Sequence, residues 1–187
     1  KHLVLLLERL HKGEVDRTDM DAFHSLLYKH NHTTTAEDWK RTLDSQTTYI
    51  FYDGFCVPKE KRDEGFLSIP AYIKRCDFMI ILAPGCTHFD KIDPRTGRKK
   101  KLSYRTYRLN AKCVFEMFAC FLTSIEQEHS KLMLLVRSGT GIPNWSSPLE
   151  CQKLAVGRSS FECCETNHTK MKTCLRTSAK SMLVTLI

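Results

Sequence analysis

Hydrophobic and polar positions along this chain follow two different periods, and the changes between them mark its elements. Two continuous apolar runs stand out, "FMIILAP" at 78–84 and "KLMLLV" at 131–136. Runs of this kind predict strands buried on both faces, as in parallel sheets. "TTYIFYD" at 47–53 is rich in β-branched and aromatic residues and predicts another strand. Helical spacing predicts a helix over 18–30, with Thr18 as its cap and Met20, Phe23 and Leu27 recurring along it. It predicts a second helix over 66–76, with Phe66, Ile69, Ile73 and Cys76 on one face and Pro70 in the first turn. A third spans 111–124 and is apolar nearly all round. Residues 2–10 fit a helix or a strand equally. Residues 31–46 are polar, with Trp39 as an anchor. Residues 85–109 read as a long loop.

The alternation of helix and strand predicts an α/β fold, a doubly wound and mostly parallel sheet with helices on both faces. Ligands of such sheets bind at the carboxyl ends of the strands. Those ends are Asp53, Pro84 and the loop after Val136. Beyond Gly139 the pattern weakens. "GTGIPNWSSP" reads as a loop, "KLAVGRSSFECCETNH" as a short strand and turn, and 169–187 as a helix with a strand-like end. The expected organisation is one α/β domain over 1–140, with 141–187 completing or flanking it.

At 187 residues the chain can bury a sizeable core. It opens at Lys1 and closes on "SMLVTLI", which reads as a fragment trimmed at both ends. No apolar run approaches the ~20 residues of a membrane span. Nine cysteines is an odd number, and Cys76, Cys113 and Cys120 lie in apolar segments, where a thiol acts as a small hydrophobe. The expectation is a reduced cytoplasmic protein, in which the sequons at Asn31, Asn144 and Asn167 carry no sugar. Cys163, Cys164, His168 and Cys174 lack the spacing of a structural zinc site, so no metal is expected.

The net charge of +8 is concentrated between His88 and Arg108, where eight basic residues face Asp90 and Asp93. Such a run attracts nucleic acid, acidic membranes or dinucleotides, or is a solvated loop. Tyr104 and Tyr107 interleave with Arg105 and Arg108 and could stack a base. Nucleic acid remains the weaker reading.

One carboxylate interrupts the apolar helix "NAKCVFEMFACFL", Glu116. An acid there either has a partner or faces a cleft. Lys112 is four residues earlier and can pair with it. Burial would raise its pKa. Asp53, at a strand end, is open to two readings: a turn residue bonding its own backbone, or part of a pocket. No Walker loop, GxGxxG or HExxH occurs.

Three motifs in order, "YIFYDGFCVPK", "IPAYIKRCDFMIILAP" and "YRLNAKCVFEMF", resemble the Toll/interleukin receptor (TIR) family. They are most similar to TIR-like domains of protists and algae, which carry "D-x-x-S-I-P-Q" and "R-G-W-C-x-x-E". The likeness covers roughly residues 47–124, and "VGRSSFECC" is similar to the tail of the algal group. It implies a flavodoxin-like fold. It also implies NAD glycohydrolysis, with NAD as substrate rather than cofactor. Glu116 would be the catalytic acid, stabilising the oxocarbenium-like charge on the ribose. Asp53, Phe55 and Cys56 would line the nucleotide site with Pro58, and Arg108 matches the motif arginine. The chain departs from the pattern at Lys112, where the motif has Trp, and at Lys59, where it has Gln. These departures favour the other implication, a non-catalytic signalling module that self-associates or docks other signalling domains.

Overall fold

A computed structural model describes residues 2–29, 31–43, 48–52, 56–57, 60, 62–93, 95–125, 131–137 and 142–154. The elements in chain order are α1 (His2–Lys12), β1 (Arg17–Asp19), α2 (Ala22–Tyr28), β2 (Thr33–Thr35), α3 (Ala36–Leu43), α4 (Arg62–Arg75), β3 (Met79–Leu82), β4 (Cys86–Ile92), β5 (Lys99–Leu102), α5 (Tyr104–Tyr107), α6 (Ala111–Ile125), β6 (Met133–Val136), β7 (Asn144–Ser146) and a 3₁₀ helix (Pro148–Lys153).

The two apolar runs are neighbouring parallel strands, with Met79 opposite Met133 and Leu82 opposite Val136. β7 adds antiparallel to the other edge of β6, giving the order β3-β6-β7. Because successive strand residues point to opposite faces, each run feeds two cores. Leu134 and Val136 join Leu6, Leu10, Trp39 and Trp145 on one face, beneath α1 and α3. Met133, Leu135 and Ile81 join Met117, Cys120 and Cys151 on the other, beneath α6 and the 3₁₀ helix. The chain is therefore a mixed α/β protein with helices on both faces of a small mixed sheet.

Several elements differ from the sequence reading. Residues 2–12 form a helix, with Leu6 and Leu10, one turn apart, both buried. No strand covers the described part of 47–53: residues 48–52 are irregular, Tyr49 is exposed, and Phe51 stacks on Tyr72 of α4 at 4.2 Å. β-propensity reflects packing context more than intrinsic preference, and here the aromatics find a helix instead of a neighbouring strand. Thr18 is not a cap. It lies fully buried in β1, where its hydroxyl accepts the Trp39 indole N–H at 2.9 Å. The cap of α2 is Asp21, whose carboxylate accepts Phe23 N–H at 3.1 Å, and both Phe23 and Leu27 are exposed. α4 begins earlier than expected, which puts Pro70 inside the helix. Residues 85–109 are not an open loop. They fold as the β4–β5 hairpin followed by α5, whose capping box joins Ser103 and Thr106. "GTGIPNWSSP" contributes β7, so chain beyond residue 140 completes the sheet. The expectations for 155–187, including Cys163, Cys164, His168 and Cys174, lie outside the described residues.

Trp39 is the expected anchor. It stacks on Trp145 at 5.5 Å, and Phe78 packs edge-on against both indoles.

Candidate functional site

A cavity of about 610 Å³ opens at the carboxyl end of β3. Its floor is Leu82, Ala83 and Pro84. Cys86 and Leu102 of the hairpin form one wall, Tyr107, Asn110 and Cys113 another, and His2, Leu3, Val4 and Tyr52 the rim. It forms there because β3 ends at Leu82, the hairpin begins at Cys86 just beyond Pro84, and α6 lines the same space through Cys113. Asn110 is the cap of α6, its side-chain oxygen accepting Lys112 N–H at 3.0 Å and Cys113 N–H at 3.4 Å. The lining is mostly apolar with a few convergent polar groups, the usual make-up of a small-molecule site.

Glu116 stands one side chain behind this wall. Tyr107, which lines the cavity, donates its phenol O–H to Glu116 Oε2 at 3.3 Å. Lys112 Nζ lies 3.9 Å from Glu116 Oε1, so the helical pair expected from the sequence is present, at long range. The Glu116 side chain retains 19% exposure, against 46% for Lys112. Burial first, then the Glu116 charge, pushes the Tyr107 phenol well above its ordinary value, so it stays a proton donor.

Arg108 faces away from the cavity. Its Nη1 lies 3.4 Å from Glu150 Oε1 and its guanidinium sits 5.8 Å from the Tyr104 ring centre. Its Nε is buried without a hydrogen-bond acceptor. Cys56 is exposed, with its backbone N–H bonded to Tyr52 O at 2.8 Å, one residue contact from the cavity rim. Asp53 and Phe55, like Pro58 and Lys59, lie outside the described residues.

The sequence reading missed a buried polar cluster centred on Glu150. Tyr104 O–H donates to Glu150 Oε2 at 2.6 Å, Ser146 O–H to the same oxygen at 3.2 Å, and His24 Nε2 lies 3.4 Å away. His24 Nδ1 and Ser146 Oγ are 3.0 Å apart. Which of the two donates follows the ring tautomer. Burial alone would raise the Glu150 pKa. Hydrogen bonds from His24 and Tyr104, with the charges of His24 and Arg108, outweigh it and hold the carboxyl down at about 2. The trio of serine, histidine and acid is not a nucleophilic triad open to substrate, because Ser146 is fully buried and already bonds the acid. It ties α2, β7 and the 3₁₀ helix together. No local motif announces it, since Ser146 lies 122 residues from His24.

Among the described residues no group of His, Cys, Asp and Glu could hold a metal ion, and no helix is long and apolar enough to cross a membrane. The six described cysteines are free thiols, and burial pushes Cys151 up to about 12. Comparison with protein-family models, with curated proteins and with solved structures finds no match to this chain.

Proposed function

We propose that this chain is a TIR-like intracellular signalling domain, flavodoxin-like in its complete order, and that the cavity at the carboxyl end of β3 binds NAD. The observation that carries the reading is the meeting of that cavity with Tyr107 and Glu116 at the start of an apolar helix. In this reading a nicotinamide riboside unit enters between the β3 floor and the α6 wall. Tyr107 then releases the Glu116 carboxylate toward the ribose, where it stabilises the positive charge that builds as the nicotinamide bond breaks.

A second reading has a specific observation in its favour. With Tyr107 and Lys112 both on Glu116, the acid also serves as a structural tie between α5 and α6. The domain then acts by association with itself or with other signalling domains, without hydrolysis. The two readings separate on nicotinamide release from NAD by concentrated protein, wild type beside Glu116→Ala, with folding checked for both. Release that is lost in the variant supports hydrolysis. Absence of release from the folded wild type, even when forced to associate, supports the second reading.

A further inference from the structure

The β4–β5 hairpin has two chemically different faces. Residues directly opposite in an antiparallel pair share a face, and Cys86 pairs with Leu102 while Thr87 pairs with Lys101 and Ile92 with Lys99. Cys86 and Leu102 line the cavity. Thr87, Ile92, Lys99 and Lys101 are all exposed on the opposite face. Between the two paired positions the register shifts, leaving His88, Phe89, Asp90 and Lys91 to bulge opposite Lys100. His88 organises this bulge: its Nδ1 lies 3.3 Å from Asp90 N, 3.2 Å from Lys91 N and 2.7 Å from Asp90 Oδ1. Its ring stacks on Phe89, centres 5.7 Å apart. Phe89 is 81% exposed, and Ile92, opposite Lys99, is 59% exposed.

An ordered hairpin does not keep a phenylalanine and an isoleucine in water without a cost, and six basic residues against two acidic ones run from Cys86 to Leu102. Apolar anchors set among lysines match a surface that is anionic at its head groups and apolar just beneath. An isoleucine has no ring to stack on a nucleobase and no group to hydrogen-bond one. We propose that the outer face of this hairpin docks peripherally on an anionic lipid bilayer, with Phe89 and Ile92 entering the interface and Lys99 and Lys101 meeting the head groups. The inner face of the same two strands walls the cavity, so docking and cavity occupancy share one element. The proposal stands independently of what the cavity binds.

The test is co-sedimentation of the full chain with phosphatidylcholine vesicles, with and without phosphatidylserine, over a range of salt. Binding is expected only with phosphatidylserine, and to weaken as salt rises. Lys99→Glu with Lys101→Glu should lower it by about tenfold or more. Lys12→Glu with Lys29→Glu removes the same charge elsewhere and should leave most of the binding intact. In Phe89→Trp, the indole emission should shift to shorter wavelength on phosphatidylserine vesicles, a readout that does not depend on the charge variants folding. Three results would overturn the proposal: no binding to anionic vesicles at low salt, equal loss in both charge-reversed variants, or unchanged emission from bound Phe89→Trp. Stripping of the chain from vesicles by a short nucleic-acid duplex would overturn it too, in favour of a nucleic-acid surface.

Discussion

Replacing Glu150 with glutamine removes one charge and keeps the shape of the side chain. In the folded protein this carboxyl is buried, accepts Tyr104 and Ser146 hydroxyls, and faces His24 and Arg108. Its pKa falls from an ordinary 4.5 to about 2. At ~1.4 kcal/mol per pH unit, that difference is worth roughly 3 kcal/mol of stability at neutral pH. The sign follows from the direction of the shift. A carboxyl with a depressed folded-state pKa stabilises the fold above about pH 4.5, and the contribution drains away as the pH falls toward about 2. That figure already contains the attraction of Arg108, which would face a neutral amide in the variant. Urea unfolding of wild type and Glu150→Gln should therefore show the variant less stable by about 3 kcal/mol at pH 7. The gap should close as both are moved to acid. A variant as stable as wild type at pH 7, or a gap that stays constant down to pH 3, would refute the assignment of Glu150 as the buried charge that holds α2, β7 and the 3₁₀ helix together.

Two further positions probe the cores. Thr18→Val strands the buried Trp39 indole N–H and should lower stability by about 1–3 kcal/mol, read from the urea midpoint, whereas Thr18→Ser should recover most of it. Lys131 is almost fully buried, and its ammonium donates to the carbonyls of Ile73 and Lys74 at the end of α4. Lys131→Met keeps the stem but leaves those carbonyls without this donor, so amide exchange in the last turn of α4 should accelerate and the fold should lose about 1–3 kcal/mol.

The strands at 79–82 and 133–136 were legible because their apolar runs have no polar face, which two-sided burial explains, and the helix at 111–125 because its apolar residues far outnumber Lys112 and Glu116. Trp39 was legible for a similar reason, a large ring alone in a polar stretch. Residues 48–52 were misread because their composition fits a strand, while Phe51 is satisfied by stacking on Tyr72. The basic stretch was misread because its charge drew attention from its turn. Asp93 accepts the N–H groups of Thr96 and Gly97, and Gly97 takes φ +64, the left-handed conformation glycine favours. Those two residues were the signal for a hairpin. Glu116 and its Lys112 partner were visible at helical spacing, whereas Cys56 and Arg108, expected from the family likeness, are not among the residues that line the cavity. The partnership of Tyr107 with Glu116 depends on how α5 turns into α6. The Glu150 cluster depends on three distant elements meeting, and neither arrangement has a period in the sequence.

The central claim is that NAD occupies the cavity at the carboxyl end of β3. Cys86 and Cys113 line it, whereas Cys76, at the end of α4, does not. The most direct measurement is the alkylation rate of each cysteine, followed by mass spectrometry with and without saturating NAD. The account predicts that NAD slows the modification of Cys86 and Cys113 and leaves Cys76 unchanged. Equal rates at all three cysteines with and without NAD would contradict it.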